Sequence, residues 1–116
     1  GKELDELLKG NIISATERFH GIIITMSMNK ESQMKIDLMN KYLELMNLIF
    51  EEKNMGFYHE RMFRSYLTNA RNYAKINKID KSIDSLLDCI NHAIKLESST
   101  IIKYDQLLLE GLIADT

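Results

Sequence analysis

An all-α fold is predicted by three features of this 116-residue chain. Apolar residues recur every three to four positions almost throughout, the period of a helix buried on one side. There is no proline and there are only five glycines, which fits poorly with a turn-rich β-sandwich or barrel. The breaks between periodic stretches carry asparagine, glycine and serine, the residues that end and start helices. A chain of this length has room for one core, so residues 1–116 read as a single helical domain.

Lys2 to Lys9 sets Leu4, Leu7 and Leu8 on one side and is expected to stop at Gly10-Asn11, a helix-terminating pair. A second helix from Ser14, with Glu17 as its capping-box partner, aligns Ala15, Phe19, Ile22, Ile23 and Met26 and fades at Ser27-Met28-Asn29. Ser32 is placed to cap a third helix running to about Glu52. There Met34, Leu38, Met39, Tyr42, Leu43, Leu45, Met46, Ile49 and Phe50 cover about half the circumference. One contact does not need so wide a face, so this helix is expected between two neighbours or against another subunit. Met39, Tyr42 and Met46 are the candidate dimer interface.

Asn54-Met55-Gly56 breaks the middle of the chain. The fourth helix, near 57–76, is expected to bury Met62, Phe63, Tyr66, Leu67, Ala70, Tyr73 and Ala74. Asn77 suits the left-handed conformation at its end. The fifth, near 80–97, is expected to bury Ile83, Leu86, Leu87, Ile90, Ala93 and Ile94, with Asp80, Asp84 and Asp88 in water. Ser98-Ser99-Thr100 precedes a last, shorter helical segment over 101–113. The expected architecture is a stack of antiparallel helix pairs, about five or six helices in all.

Composition excludes several function classes. One cysteine makes neither a disulfide scaffold nor a zinc knuckle. A net charge of -2 argues against a wholesale nucleic-acid or membrane-surface binder. The run Ile22-Ile23-Ile24 is far short of the ~20 residues of a membrane helix, so no membrane partner and a cytoplasmic location are expected. The opening Gly1 in place of methionine reads as an expression scar on a fragment.

Candidate chemistry is sparse. Glu17 and His20 have the E-x-x-H spacing of di-iron bundles, but that chemistry needs a second such motif and two more inward carboxylates. Cys89 and His92 lie on one helix three apart, and two ligands do not make a zinc site. Cys89 reads better as a small apolar residue where two helices approach closely. Arg61, Arg64, Arg71 and Lys75 form a cationic stripe, the candidate site for an anionic ligand or an acidic peptide. The simpler account of the stripe is a solvated face balanced by Asp80, Asp84 and Asp88. There is no Gly-rich phosphate loop and no G-x-S-x-G or H-E-x-x-H motif, so neither enzyme activity nor a cofactor is expected.

The stretch YLTNARNYAKINKIDKSIDSLLDCINHAI, from Tyr66 to Ile94, resembles a tetratricopeptide repeat. Tyr66 stands at that repeat's first large aromatic, Ala70, Ser82 and Cys89 at its small positions, Tyr73 at its tyrosine and Leu86 at its second large apolar position. Asn77 replaces the glycine of the turn, and the closing proline is absent. A wider set of segments, YLELMNLIF from Tyr42 to Phe50, then Gly56-Phe57-Tyr58-His59, the repeat unit, and YDQLLL from Tyr104, is similar to the C-terminal helical domains of bacterial XRE-type helix-turn-helix transcriptional regulators. That resemblance implies a DNA-binding domain outside this sequence. It implies for this chain a homodimer that senses a peptide, protein or small-molecule effector and carries no catalytic residues. The competing expectation is a free-standing tetratricopeptide-like adaptor for a peptide or protein partner.

Overall fold

In the computed structural model, residues 2–50 and 56–96 are described, the side chains of Glu6 and Lys9 excepted. Four helices follow one another there: α1 (Lys2–Ser27), α2 (Ser32–Ile49), α3 (Gly56–Lys75) and α4 (Ile79–Ile94). Contacts fix their directions. Ile23 near the end of α1 shares a cluster with Met39, while Ile12 near its start lines a groove with Ile49. Asn47 meets Tyr58, and Asn40 meets Asn69. His59 meets His92, and Ala70 meets Ser82. Each pair of neighbours therefore runs antiparallel, and the described residues form an all-α assembly without strands.

The helix boundaries correct the expected count. Gly10-Asn11 does not end a helix, and the two expected N-terminal segments are one continuous α1. A terminator needs a left-handed residue, and neither Gly10 nor Asn11 adopts a positive φ. Ser14 consequently sits mid-helix and caps nothing. α2 starts at Ser32, with Glu31 rather than Ser32 in the capping position. Among the described residues Asn29 and Asn77 have positive φ, at 63° and 60°, one after each of α1 and α3. Around Asn77 the Lys78 N–H donates to the Tyr73 carbonyl at 2.9 Å and the Asn77 N–H to the Ala74 carbonyl at 3.1 Å. This double closure reverses the chain and starts α4. Asn54-Met55 and the segment 101–113 lie outside the described residues.

Among the described residues two apolar clusters form in the core. Ile23, Met39, Tyr42, Leu43, Met46, Phe50, Tyr58 and Met62 fill the space among α1, α2 and α3. Phe63, Leu67, Cys89, Ala93 and Leu96 fill the seam of α3 with the end of the chain described. Tyr66 touches both. α2 thus has the two neighbours that its wide apolar face called for. Met39, Tyr42 and Met46 are buried against them, so the side chains expected to face a second copy are covered within one chain.

The seam between α3 and α4 is built from small residues. Ser82, Ser85, Cys89 and Ala93 are the buried positions of α4. Ser82 Oγ donates directly to the Ala70 carbonyl at 2.7 Å, which requires the two backbones to come close. Cys89 has the packing role expected of it. Ile83, Leu87, Ile90 and Ile94, expected in the core, are instead exposed, and Leu86 is half-buried. The same offset occurs in α1, where Thr16, Ile23 and Ser27 are buried while Ala15, Ile22 and Met26 are exposed. The hydroxyls of Thr16 and Ser27 donate to the carbonyls of Ile13 and Ile23 at 2.8 and 2.7 Å, which permits their burial.

Two stability changes follow. Gly10 lies in a helix with open space where a Cβ would go, so Gly10→Ala is expected to stabilise the protein by about 0.5–1 kcal/mol in urea unfolding. Cys89→Leu inserts bulk into the fully buried seam and is expected to cost about 1–3 kcal/mol in the same measurement.

Candidate functional site

The cationic stripe is divided by the fold. Arg61 turns toward α1, where its Nε donates to Glu17 Oε1 at 3.0 Å and its Nη2 shares the same oxygen. Its guanidinium also lies 5.9 Å from the centre of the Phe57 ring, and only 19% of the side chain is exposed. Arg64 is more open and pairs along its own helix with Glu60 at 3.4 Å. Arg71 is half-buried, and Lys75 is exposed at the end of α3. Arg61 therefore ties α1 to α3.

Glu17 and His20 are likewise used separately. The hydrogen bond from Arg61 holds the Glu17 carboxyl below the usual carboxylate range. His20 is half-buried with its ring edge-on to Tyr42, the centroids 4.9 Å apart. Burial, reinforced by the Arg61 charge, pushes its imidazole below the ordinary 6.5. Among the described residues no group of three His, Cys, Asp or Glu side chains could hold a metal ion. Burial of Cys89 raises its thiol to about 12, which leaves it protonated and a poor nucleophile at neutral pH.

A histidine pair joins α3 to α4. His59 Nδ1 and His92 Nδ1 are 3.0 Å apart, so one nitrogen donates a proton and the other accepts it. Tyr66 stacks on His92 with centroids 5.7 Å apart, and Tyr58 meets both imidazoles edge-on. The Tyr58 hydroxyl donates to Asn47 Oδ1 at 2.6 Å, which carries the chain of polar contacts on to α2. Nothing in the spacing of His59 and His92 along the chain announces this pair, because the turn around Asn77 alone sets them opposite each other.

Several large apolar side chains are exposed among the described residues, Leu4, Leu7 and Leu8 of α1 included, and two apolar surfaces stand out. Ile12, Ala15, Thr16, Phe19, Leu45 and Ile49 line a groove of about 340 Å³ between α1 and α2. On α4, the row Ile79, Ile83, Leu87, Ile90 and Ile94 faces outward. Leu45 and Ile49 of the groove belong to the wide apolar face of α2 read from the sequence, whereas Ile83, Leu87, Ile90 and Ile94 of the α4 row were expected in the core, since periodicity marks a residue as apolar without saying whether a neighbour covers it. Among the described residues no helix is long and apolar enough to cross a membrane. The chain matches no family model, no curated protein and no solved structure.

The His20 environment sets a pH dependence. Its folded imidazole binds a proton less readily than the unfolded one, so the unfolded chain takes up more protons as pH falls below about 6.5. The contribution of neutral His20 is complete above that pH and is lost as pH drops toward the folded value. Thermal unfolding between about pH 7.5 and 5 is expected to show a falling Tm, with a smaller fall in His20→Phe than in the parent protein.

Proposed function

We propose that the chain is a non-catalytic binding and oligomerisation domain of a bacterial transcriptional regulator of the XRE type. In this reading its helix pairs form a tetratricopeptide-like array, it works in the cytoplasm as a homodimer, and the DNA-binding region lies outside this sequence. The observation that carries the binding part is the open groove between α1 and α2. Its volume is within the range of small-molecule sites, about 300–1,000 Å³, and its lining suits an apolar effector or the apolar side chains of a peptide.

The mechanism is a shift between packings of α1 on α2. An effector seated between them favours the spacing that fits it, and the change is passed to whatever is joined to α1. α1 suits this role because its ties to the other helices are few: the apolar contacts around Tyr42 and the Glu17–Arg61 pair. Binding rather than catalysis is favoured by the uses of the reactive side chains. Glu17 is held by Arg61, His59 and His92 share a proton, and Cys89 is buried and protonated.

The groove is tested with the apolar dye anilinonaphthalene sulfonate. Saturable binding is expected, and Ala15→Trp, which fills an exposed position of the lining, is expected to weaken it by about tenfold, or about 1.4 kcal/mol. Dye binding indifferent to Ala15→Trp would place the site elsewhere. The parent gene decides between regulator and adaptor. A helix-turn-helix region encoded upstream of Gly1 is expected, and its absence favours the free-standing adaptor.

A further inference from the structure

We infer that α4 is the face on which two copies of this chain pair, antiparallel, about a two-fold axis near Leu87; the inference rests on the oligomerising part of the reading above. Ile79, Ile83, Leu87, Ile90 and Ile94 are between 41% and 66% exposed. They form one row on α4, next to the row of small residues that meets α3. The row is nearly symmetric about its centre, with Ile83 and Ile90 flanking Leu87 and Ile79 and Ile94 beyond them. Turned end for end, it maps onto itself, as an isologous interface requires. Two copies laid antiparallel set Ile83 beside the partner's Ile90 and Ile79 beside the partner's Ile94.

An ion pair at each end of the row suits the same direction. Asp80, Asp84, Asp88 and Lys95, all exposed, lie on its polar side. In an antiparallel pair each border faces its own copy, which brings Asp80 opposite the partner's Lys95, twice by symmetry. A parallel pair would instead turn this border toward the one formed by Leu86 and Ala93, which carries no charge. Five aliphatic side chains make a patch of the size found at functional sites on monomers, roughly 300–600 Å². Doubled over two copies it reaches only the low end of specific interfaces, about 1,200 Å². The dimer is therefore reversible and depends on concentration.

The test is the mass of the full chain in solution, by light scattering over a concentration series, with helicity followed by circular dichroism. The parent protein is expected to pass from monomer to dimer, and Leu87→Glu to weaken the dimer by about tenfold or more. Asp80→Lys is expected to weaken it as well, and adding Lys95→Asp to the same chain to restore it. A parent protein that stays monomeric overturns the pairing, and so does a dimer unmoved by Leu87→Glu or a double variant that fails to recover. Dye binding measured on the same samples keeps the outcomes apart. A monomer that still binds dye in the α1–α2 groove loses the α4 interface but not the binding function, whereas a dimer resistant to Leu87→Glu keeps oligomerisation and moves it to another face.

Discussion

Everything in the described structure leans on α3, the helix that must be buried on two sides at once. Tyr58 and Met62 join the cluster with α1 and α2, while Phe63 and Leu67 join the seam with α4. Tyr66 belongs to both. A helix so placed also buries polar side chains, and each buried polar group costs free energy unless it finds a partner. Asn69 donates to Asn40 at 2.9 Å, Asn72 to the Thr68 carbonyl at 3.2 Å, and His59 is matched with His92. These bonds hold particular partners opposite one another, which apolar contacts alone would leave free to slide.

The two sides of α3 differ in kind. Toward α2 the contact is made by large side chains, Tyr42, Met46, Tyr58 and Met62, which hold the helices apart, with polar ties at Asn47 and Asn40. Toward α4 the contact is made by Ser82, Ser85, Cys89 and Ala93, and the backbones come close enough for a side chain to reach a carbonyl. The close seam has a consequence for α4. Its large aliphatic residues cannot enter a seam so narrow, and they are turned outward as a continuous row. The outward row is thus a product of tight packing rather than a defect of it.

Some ionisable side chains serve the architecture. The Glu17–Arg61 pair spans α1 and α3 at the rim of the first cluster, where Arg61 also covers the Phe57 ring. Below it Tyr42 is enclosed, and burial raises its phenol to about 12. Glu17, Arg61, His59 and His92 thus connect helices, while the α1–α2 groove and the α4 row present apolar side chains at the surface.

The sequence by itself determined the helical class, the ends of α1 and α3 at Asn29 and Asn77, the wide apolar face of α2, and the small contact residue Cys89. These are local properties: period, left-handed propensity and side-chain size act within a few residues. Tertiary structure decided which of two adjoining rows is buried. In α1, Ile22, Ile23 and Ile24 are consecutive, and rows one residue apart differ by about 100° around the helix, so both satisfy the same period. In α4 the row of Ile83, Ile90 and Ile94 follows one residue behind that of Ser82, Cys89 and Ala93, and the more apolar row lost because the small one lets α3 approach. The pairing of His59 with His92 and of Glu17 with Arg61 was equally beyond the sequence. Such contacts join residues far apart in the chain, and only the antiparallel turns, once made, place them together.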